Sequence, residues 1–383
     1  MIDFAMVDFG QEEIEAVNKV MQGAQLASGH ENEAFEKEFA KYVGAQYAVL
    51  VNSGSSANLL ALASLNLKGG SKVVTSACGF PATLSPILHL RLTPGLVDYN
   101  AHTLNIDTKV IVDNLEGVSA VIFAHTLGNP VEMSELIREC DKRGISVIED
   151  CCEAVGSKVN GISVGSFGTL GTFSFYPAHQ MTALGSGGMV VTNNKLLYQR
   201  MKSLRDWGKM YDWDSSNGGV QTDYTSPIGY HRGYTYETVG WNFKLPEANA
   251  AFGRIQLKRL DSFSRKRYSN WKYMHDRLKS ITEIYVPVMS EESSPFGLPI
   301  VIPGHRNGLG MFLEKSGIKH RPFFAGNILR QPAFMDHGAE RFPVADHLMA
   351  NALFVGCHTK MSKEDMDFIV HKVSEYVVSH VHA

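Results

Sequence analysis

Short apolar runs alternate with helix-like stretches through the first half of the chain, and this alternation limits the possible fold more than any other feature. The strand-like runs lie at 47–51, 72–75, 95–98, 120–124, 145–149, 169–176 and 189–192. Apolar residues at helical spacing occur between several of them, as in 133–143, where Gly144 provides a stop. Buried strands separated by helices are typical of a mainly parallel sheet that is covered by helices on both faces. The sequence therefore predicts an α/β protein.

The pattern changes near residue 245, where a second and smaller unit is predicted. A helix is expected from Glu247, with a basic helical continuation to about Leu278, followed by mixed strands and helices. Ser362 is expected to cap the last helix. We predict a large domain over 1–245, which includes the N-terminal helices, and a small α+β domain over 246–383, which includes the connecting helices.

Composition excludes several classes of protein. Of the 383 residues, 44% are hydrophobic and 20% are charged, as expected of a soluble globular chain with a large core. The net charge of -3 provides no general attraction for nucleic acid or for an anionic membrane. No signal peptide and no membrane-spanning run is recognisable, so we expect a cytoplasmic protein. Five cysteines without a C-x-x-C pair predict neither a disulfide framework nor a metal site.

Polar side chains, glycines and an aromatic residue lie at the ends of several of the predicted strands or soon after them. They are Ser53, Gly54, Ser55, Phe80, Asp150, Glu153, Ser174 and His179. Ligands of parallel sheets bind at the carboxyl ends of the strands, so we expect these residues to form one site. His125 also follows a strand, but the sequence leaves its role open.

Three of these positions have both a functional and a structural interpretation. The Ser53-Gly-Ser-Ser turn before a helix can present backbone N–H groups and hydroxyls to a phosphate, or it can be a plain strand-to-helix connection. Asp150 ends an apolar strand, where it can either meet a protonated base or cap the following turn. Phe80, in a Gly-Phe-Pro turn, can stack on a flat ring or simply pack.

His179 lies on a loop between two predicted strands, after Pro177 and before Gly187-Gly188. A histidine in such a place is most often a surface or capping residue. Its neutral imidazole is also suited to proton transfer near pH 7.

The motifs together give the chain its resemblance to a family. They are Ser53-Gly-Ser-Ser-Ala-Asn, Glu149-Asp150-x-x-Glu153-Ala, Ser174-Phe-Tyr-Pro-Ala, Gly-Ser-Gly-Gly188 and Gly240-Trp-Asn242. They resemble the sugar aminotransferases, and the similarity extends over nearly the whole chain. The resemblance implies the fold of the aspartate aminotransferases (fold type I), with pyridoxal phosphate as coenzyme.

Position 179 determines the predicted branch of that family. The family places there the lysine that attaches the coenzyme, whereas a histidine resembles the nucleotide-diphosphate (NDP) 4-keto-6-deoxyhexose 3-dehydratases. Further motifs resemble the same branch: Gly79-Phe-Pro-Ala-Thr83, the stretch from Phe324 to Phe334, and Leu353-Phe-Val-Gly-Cys-His358. The resemblance implies that pyridoxamine phosphate is held noncovalently and that His179 transfers the proton while the C3 hydroxyl of the sugar leaves.

The resemblance also implies roles for the remaining candidates. Ser53, Gly54, Ser55 and Ser174 would hold the coenzyme phosphate, Phe80 would stack on the ring, Asp150 would keep the ring nitrogen protonated, and Glu153 would lie near the ring or its amine. Asn242 would reach the phosphate of a neighbouring subunit, which implies a homodimer with shared sites. Arg205, Arg321 and Arg330 are candidates for the substrate diphosphate.

One subgroup of these dehydratases holds an iron–sulfur cluster on four spaced cysteines, and the chain departs from that pattern. Counted from Cys152, the other places are taken by Met210, Asp212 and Val220, so no cluster is expected. Glutamate is then the expected amino donor. Two alternatives stay open: a sugar aminotransferase whose coenzyme-attaching lysine has been replaced, and a noncatalytic module that only binds the coenzyme.

Overall fold

The structure is a computed structural model that describes residues 1–211, 227–338 and 340–382. Asp212 and Val220, two of the places compared with the cluster-binding cysteines, lie outside these residues. Because the sequence alternates apolar runs with amphipathic or buried helical stretches, helices and strands follow one another along most of the described chain. The helices are α1 (Gln11–Gly23), α2 (His30–Val43), α3 (Gly54–Ser64), α4 (Pro81–His89), α5 (Thr108–Asp113), α6 (Ser134–Arg143), α7 (Lys195–Arg205), α8 (Glu247–Leu278), α9 (Arg306–Lys315), α10 (Pro343–Asn351) and α11 (Lys363–His380).

The strands form one large sheet, one small sheet and two short ribbons. They are β1 (Tyr47–Val51), β2 (Lys72–Ser76), β3 (Thr93–Val97), β4 (Tyr99–Asn100), β5 (Asn105–Ile106), β6 (Val118–Ala124), β7 (Ser146–Asp150), β8 (Lys158–Val159), β9 (Ile162–Ser163), β10 (Leu170–Ser174), β11 (Gly188–Thr192), β12 (Gly297–Val301), β13 (His320–Pro322) and β14 (Ala352–Gly356).

The large sheet has seven strands in the order β1-β11-β10-β7-β6-β2-β3. Strand β11 is antiparallel to both of its neighbours, and the other strand pairs are parallel. Apart from β11, the strands therefore point in one direction and bring their carboxyl ends to one edge. The predicted α/β class with a mainly parallel sheet is confirmed.

A glycine makes the junction between β1 and β11 possible. The chain at Ser53 bridges to Gly187, and a Cβ at Gly188 would lie 2.3 Å from the backbone oxygen of Ser53. Such an approach is open only to glycine. The glycine-rich return in the sequence thus lets β11 lie against the turn after β1.

Helix α8 is a single helix of 32 residues, although the sequence suggested two consecutive helical stretches. Its buried residues, among them Leu257, Leu260 and Trp271, recur at helical spacing and pack on α1 and α2 at its start and on α11 towards its end. It leads from the large sheet to the small sheet, whose order is β12-β14-β13. The division at 245/246 stays a prediction.

The two ends of the chain pack beside the small sheet. Ile2 bridges to Ile318, and the Phe4 ring packs edge-on against Phe354 of β14 with 5.3 Å between centroids. Ser362 caps α11 as predicted, in a reciprocal pair of hydrogen bonds with Asp365. None of the helices in the described ranges combines the length and the apolar character needed to cross a lipid bilayer.

Candidate active site

A cavity of about 1110 Å³ lies at the carboxyl ends of the parallel strands. The small sheet and the N-terminal segment close it from the other side, through residues such as Phe4, Arg321 and Phe354. The structure brings most of the predicted site residues to this cavity: Ser53, Gly54, Ser55, Phe80, Asp150, Glu153, Ser174, His179 and Arg321. The strand order explains the result, because β1, β10 and β7 end at the same edge.

The first turn of α3 forms one corner of the cavity. The helix begins at Gly54, three residues earlier than the sequence suggested, and the Ser53 hydroxyl caps it by accepting the Ser56 N–H at 3.1 Å. A Cβ at Gly54 would lie 2.6 Å from the Cβ of Ser174. The missing side chain therefore lets the helix start against β10. The first N–H groups of a helix have no partner within the helix, so this corner suits an anion.

Asp150 ends β7 and is buried, and its carboxylate is held in one orientation. Oδ2 accepts hydrogen bonds from Asn58 Nδ2 at 2.7 Å and from Thr83 Oγ1 at 2.8 Å. Oδ1 accepts the Cys152 N–H at 3.1 Å. A carboxylate fixed in this way can face a positive group in the cavity without losing further side-chain entropy.

Glu153 is a buried acid beside this carboxylate. Burial raises the pKa of Glu153 to about 8, and the neighbouring Asp150 acts in the same direction. The Leu127 N–H donates to Oε2 at 2.8 Å and opposes that shift. At pH 7 the side chain is therefore mainly a neutral carboxylic acid, which can donate a proton or a hydrogen bond.

His179 lies in a turn in which its N–H donates to the Tyr176 carbonyl at 2.9 Å. Its ring packs against Phe296 with 5.1 Å between centroids, and Nδ1 is buried without a hydrogen-bond partner among the residues that the structure describes. Burial, together with the positive charge of Arg267, lowers the pKa of His179 to about 3. The imidazole is therefore neutral at physiological pH. With Nδ1 enclosed, Nε2 is the nitrogen left to exchange a proton with the cavity.

Three of the predicted residues do not line the cavity. Arg205 is buried elsewhere, where Nη1 donates to Glu36 at 2.7 Å and to the Leu50 carbonyl at 3.0 Å. Arg330 makes a two-pronged ion pair with Asp346 at 3.0 Å on the outside of the small unit. Asn242 is exposed on the surface of this chain. Within one subunit, Arg321 is the predicted arginine that reaches the cavity.

Several residues at the site were not assigned from the sequence. Asn58 and Thr83 belong to motifs noted above, and Asn58 lies one helical turn after Gly54, a signal that could have placed it. Gln180 donates from Nε2 to the Glu153 and Ser294 carbonyls. Both Gln180 and Phe296 reach the site through contacts between residues that are far apart in the sequence. No local sequence pattern reveals such contacts. Lys319 lines the cavity and pairs with Asp3 at 2.7 Å.

Comparison with known proteins gives the chain its family. Residues 7–374 match the sequence model of the DegT/DnrJ/EryC1/StrS aminotransferase family. The lipopolysaccharide biosynthesis protein RfbH of Salmonella typhimurium is 36% identical over 393 residues, which cover 96% of this chain and 90% of that protein. The dTDP-4-dehydro-2,6-dideoxy-D-glucose 3-dehydratase of Saccharopolyspora spinosa is 36% identical over 382 residues, which cover 92% and 81%.

Solved structures agree in fold and include two kinds of enzyme. A GDP-4-keto-6-deoxymannose-3-dehydratase with a trapped PLP-glutamate geminal diamine superposes with a TM-score of 0.90 at 28% identity, covering 97% of this chain and 100% of that one. An aminotransferase from Psychrobacter cryohalolentis gives 0.88 at 28% identity, covering 98% of each chain. The predicted fold type and coenzyme are confirmed. The chain belongs to the DegT/DnrJ/EryC1/StrS aminotransferase family of pyridoxal-phosphate-dependent, sugar-modifying enzymes.

Proposed function

We propose that this protein removes the C3 hydroxyl of a nucleotide-linked 4-keto-6-deoxyhexose, with pyridoxamine phosphate as coenzyme and His179 as the proton-transfer base. One observation carries the proposal: a neutral imidazole lines the cavity at the place that, by resemblance, belongs to the coenzyme-attaching lysine. The 3-dehydratases among the similar proteins support it.

When bound, the coenzyme would supply an amine for the sugar ketone and a ring that can accept electrons. The protein supplies the proton transfer. His179 accepts a proton at Nε2, because Nδ1 is enclosed and the ring is neutral. The resulting imidazolium can then return the proton to the departing hydroxyl group.

The cavity fits the coenzyme at both of its ends. Asp150, fixed by Asn58 and Thr83, can pair with a protonated ring nitrogen and stabilise its charge. The start of α3 fits the phosphate, because the N–H groups of Gly54 and Ser55 and the positive end of the helix dipole act together there. The hydroxyls of Ser53 and Ser174 would add to this site.

Phe80 and Glu153 complete the proposed coenzyme site. Phe80 is 55% exposed at the start of α4, where it lines the cavity and can cover one face of a flat ring. Glu153, mainly protonated at pH 7, can donate a hydrogen bond to an oxygen or share its proton with an amine.

The histidine at position 179 explains why the coenzyme is proposed to remain noncovalent. Lys319 is the lysine among the residues that line the cavity, and it stands on the wall formed by the small sheet, paired with Asp3. With no lysine at 179, the coenzyme amine must be restored by an external donor, for which glutamate is proposed.

The substrate side of the site involves Arg321 and a second subunit. The Arg321 guanidinium lies 5.0 Å from the Phe4 ring centroid and can reach a diphosphate in the cavity. We propose a homodimer in which the exposed Asn242 contacts the coenzyme phosphate of the partner subunit. Its position outside the cavity of its own chain supports that arrangement.

Transamination is the second candidate function. The aminotransferase from Psychrobacter cryohalolentis superposes about as well as the dehydratase does, so the overall fold favours neither reaction. The histidine at 179 favours deoxygenation. A noncatalytic module would have the same cavity and bind the coenzyme, but it would not convert a sugar substrate.

Product analysis separates these functions. The purified protein would be incubated with pyridoxal phosphate, glutamate and NDP-4-keto-6-deoxyhexoses, and the sugar, 2-oxoglutarate and ammonia would be measured. Deoxygenation turns the substrate and glutamate into a 3-deoxy-4-keto sugar, 2-oxoglutarate and ammonia. The sugar is then one oxygen atom lighter, and ammonia and 2-oxoglutarate appear in equal amounts.

Other results would contradict the proposal. A 4-amino sugar, formed with 2-oxoglutarate but without ammonia, would show an aminotransferase. Tight coenzyme binding without any product, over a panel of nucleotides and hexoses, would favour a binding module.

A further inference from the structure

Arg267 lies on α8 directly behind the candidate base, and only 3% of its surface is exposed. Nη2 donates to the His179 carbonyl at 2.9 Å, and Nη1 donates to the Pro295 carbonyl at 3.3 Å. Pro295 precedes Phe296, whose ring packs on the His179 imidazole. One guanidinium therefore links the turn that carries the imidazole to the segment that covers it.

The charge of this guanidinium is not balanced nearby. In the part of the chain that the structure describes, no carboxylate forms an ion pair with Arg267, and Nε is buried without a partner. Cys357 donates from Sγ to the same Pro295 carbonyl at 3.3 Å. Burial raises the pKa of Cys357 to about 11, although the hydrogen bond between this thiol and Arg267 acts in the opposite direction, so at pH 7 the thiol is neutral and brings no negative charge. Arginine stays charged in proteins, and an unpaired buried charge is unfavourable for folding.

The other ionisable groups around His179 act less directly on it. Asp3 and Lys319 pair with each other, and Asp8 pairs with Arg259 and Lys360. Glu153 is mainly neutral at pH 7, since its pKa is about 8. Within the described ranges, the remaining ionisable groups that share the cavity with His179 are Asp150, Cys152, Tyr176 and Arg321. Arg267 is the charged group hydrogen-bonded to the backbone of His179 itself.

We propose that Arg267 is a positioning residue for His179: it fixes the turn and the covering Phe296 through two carbonyls, and its buried positive charge adds to the effect of burial in disfavouring an imidazolium at this position. An imidazolium beside the guanidinium would add a second positive charge to a desolvated site. Gln180 supports the same arrangement, because it ties the turn to the Glu153 and Ser294 carbonyls. The inference rests on the proposed role of His179 as base, but it concerns the free protein.

Arg267→Gln tests the charge, because glutamine can still donate to a carbonyl but is neutral. The coenzyme-free protein would be labelled with ¹³C-histidine, and the His179 ring signal would be assigned by its loss in His179→Asn. We expect R267Q to raise the pKa of the His179 ring by about 1 unit or more. Arg267→Lys keeps the charge, so the pKa should stay within about 0.5 unit of the wild-type value.

Amide hydrogen exchange of the His179 N–H tests the positioning. This N–H bonds to Tyr176 within the turn that Arg267 fixes. We expect about tenfold faster exchange in both R267Q and R267K, because neither side chain reproduces the fork of the guanidinium. Arg254→Gln is the matched control: it removes an arginine from the same helix, one paired with Glu31 and Glu38, and should change neither measurement.

Two results would overturn the inference. The first is a folded R267Q protein with a wild-type His179 pKa and wild-type amide exchange. The second is failure of both R267Q and R267K to fold while R254Q folds, which would assign Arg267 to structure alone. Neither measurement needs turnover, so their outcome is independent of whether the sugar is deoxygenated.

Discussion

His125 and His179 both follow strands of the large sheet, but their surroundings are opposite. Nε2 of His125 lies 3.2 Å from Glu149 Oε2, and Nδ1 accepts the Val131 N–H at 3.0 Å. Both ring nitrogens of His125 therefore have partners inside the protein. Nδ1 of His179 has no partner in the described part of the chain, and the ring lies in the wall of the cavity.

The difference separates a structural histidine from one available for proton transfer. Glu149, the partner of His125, also accepts the N–H groups of Gly165, Phe167 and Gly168, so this pair ties two strands to a buried turn. Cys151 joins His125 and Glu149 in a group whose ligand atoms lie within 4.8 Å of one another. Hydrogen bonds already occupy the histidine and the carboxylate, so packing accounts for this cluster.

Replacement of His179 should have the largest effect. His179→Asn keeps a polar side chain but removes the base, so we expect kcat for deoxygenation to fall by about 10²–10⁴-fold. Coenzyme affinity should change by less than about threefold, since the proposed coenzyme contacts lie on other residues. Steady-state kinetics and an absorbance titration with the coenzyme would measure the two effects. A kcat within tenfold of the wild type would contradict the role of His179 as base.

Replacement of His125 should act on stability instead. His125→Asn leaves the buried Glu149 without its ring partner, and the free energy of unfolding should fall by about 1–3 kcal/mol. At temperatures where the variant is folded, kcat should stay within about twofold of the wild type. Denaturant unfolding and kinetics on the same preparation would check both statements. Unchanged stability together with a loss of kcat like that of His179→Asn would remove the distinction between the two histidines.

The sequence could predict where these side chains meet but not what holds them. Ser53, Asp150 and Ser174 lie at or just after the ends of apolar strands, and parallel strand ends share one edge, so local pattern and general topology sufficed to group them. The family motif singled out position 179. Arg267 lies 88 residues from His179, and its hydrogen bond to that carbonyl depends on how α8 packs in the folded chain. Tertiary contacts of this kind leave no local signal.

The candidate arginines show the same limit of prediction from sequence. Residue type made Arg205, Arg321 and Arg330 equal candidates for a diphosphate. The structure pairs Arg205 with Glu36 and Arg330 with Asp346, and it leaves Arg321 in the cavity. Packing decides which arginines form ion pairs with carboxylates inside the protein, and the sequence does not show which ones do.

The pH dependence of stability sharpens the contrast between the histidines. The folded-state pKa of His179 is lowered to about 3, whereas an unfolded histidine titrates near 6.5, so below pH 6.5 the unfolded chain binds more protons. This contribution to stability is present above pH 6.5 and is lost as the pH falls towards 3. Between pH 7 and pH 5 the wild type should lose about 1–2 kcal/mol more than His179→Asn.

Denaturant unfolding of the coenzyme-free proteins at both pH values would measure this difference. Equal losses in the wild type and in His179→Asn would show that the folded protein protonates His179 as readily as the unfolded chain does.

The smallest expected effect is that of Glu153→Gln on the pH dependence of the unfolding free energy, and its sign is opposite to that of the His179 effect. The folded-state pKa of Glu153 is raised to about 8, so the native state binds the extra proton, and stability present below about pH 4.5 is lost as the pH rises to 8. Glutamine imitates the protonated acid and still accepts the Leu127 N–H. Relative to the wild type, the variant should therefore gain about 1 kcal/mol in unfolding free energy between pH 7 and pH 8. Parallel curves of unfolding free energy against pH for the two proteins would mean that Glu153 is charged at pH 7. A negative charge in the cavity would raise the pKa of His179. The two pH experiments therefore test each other.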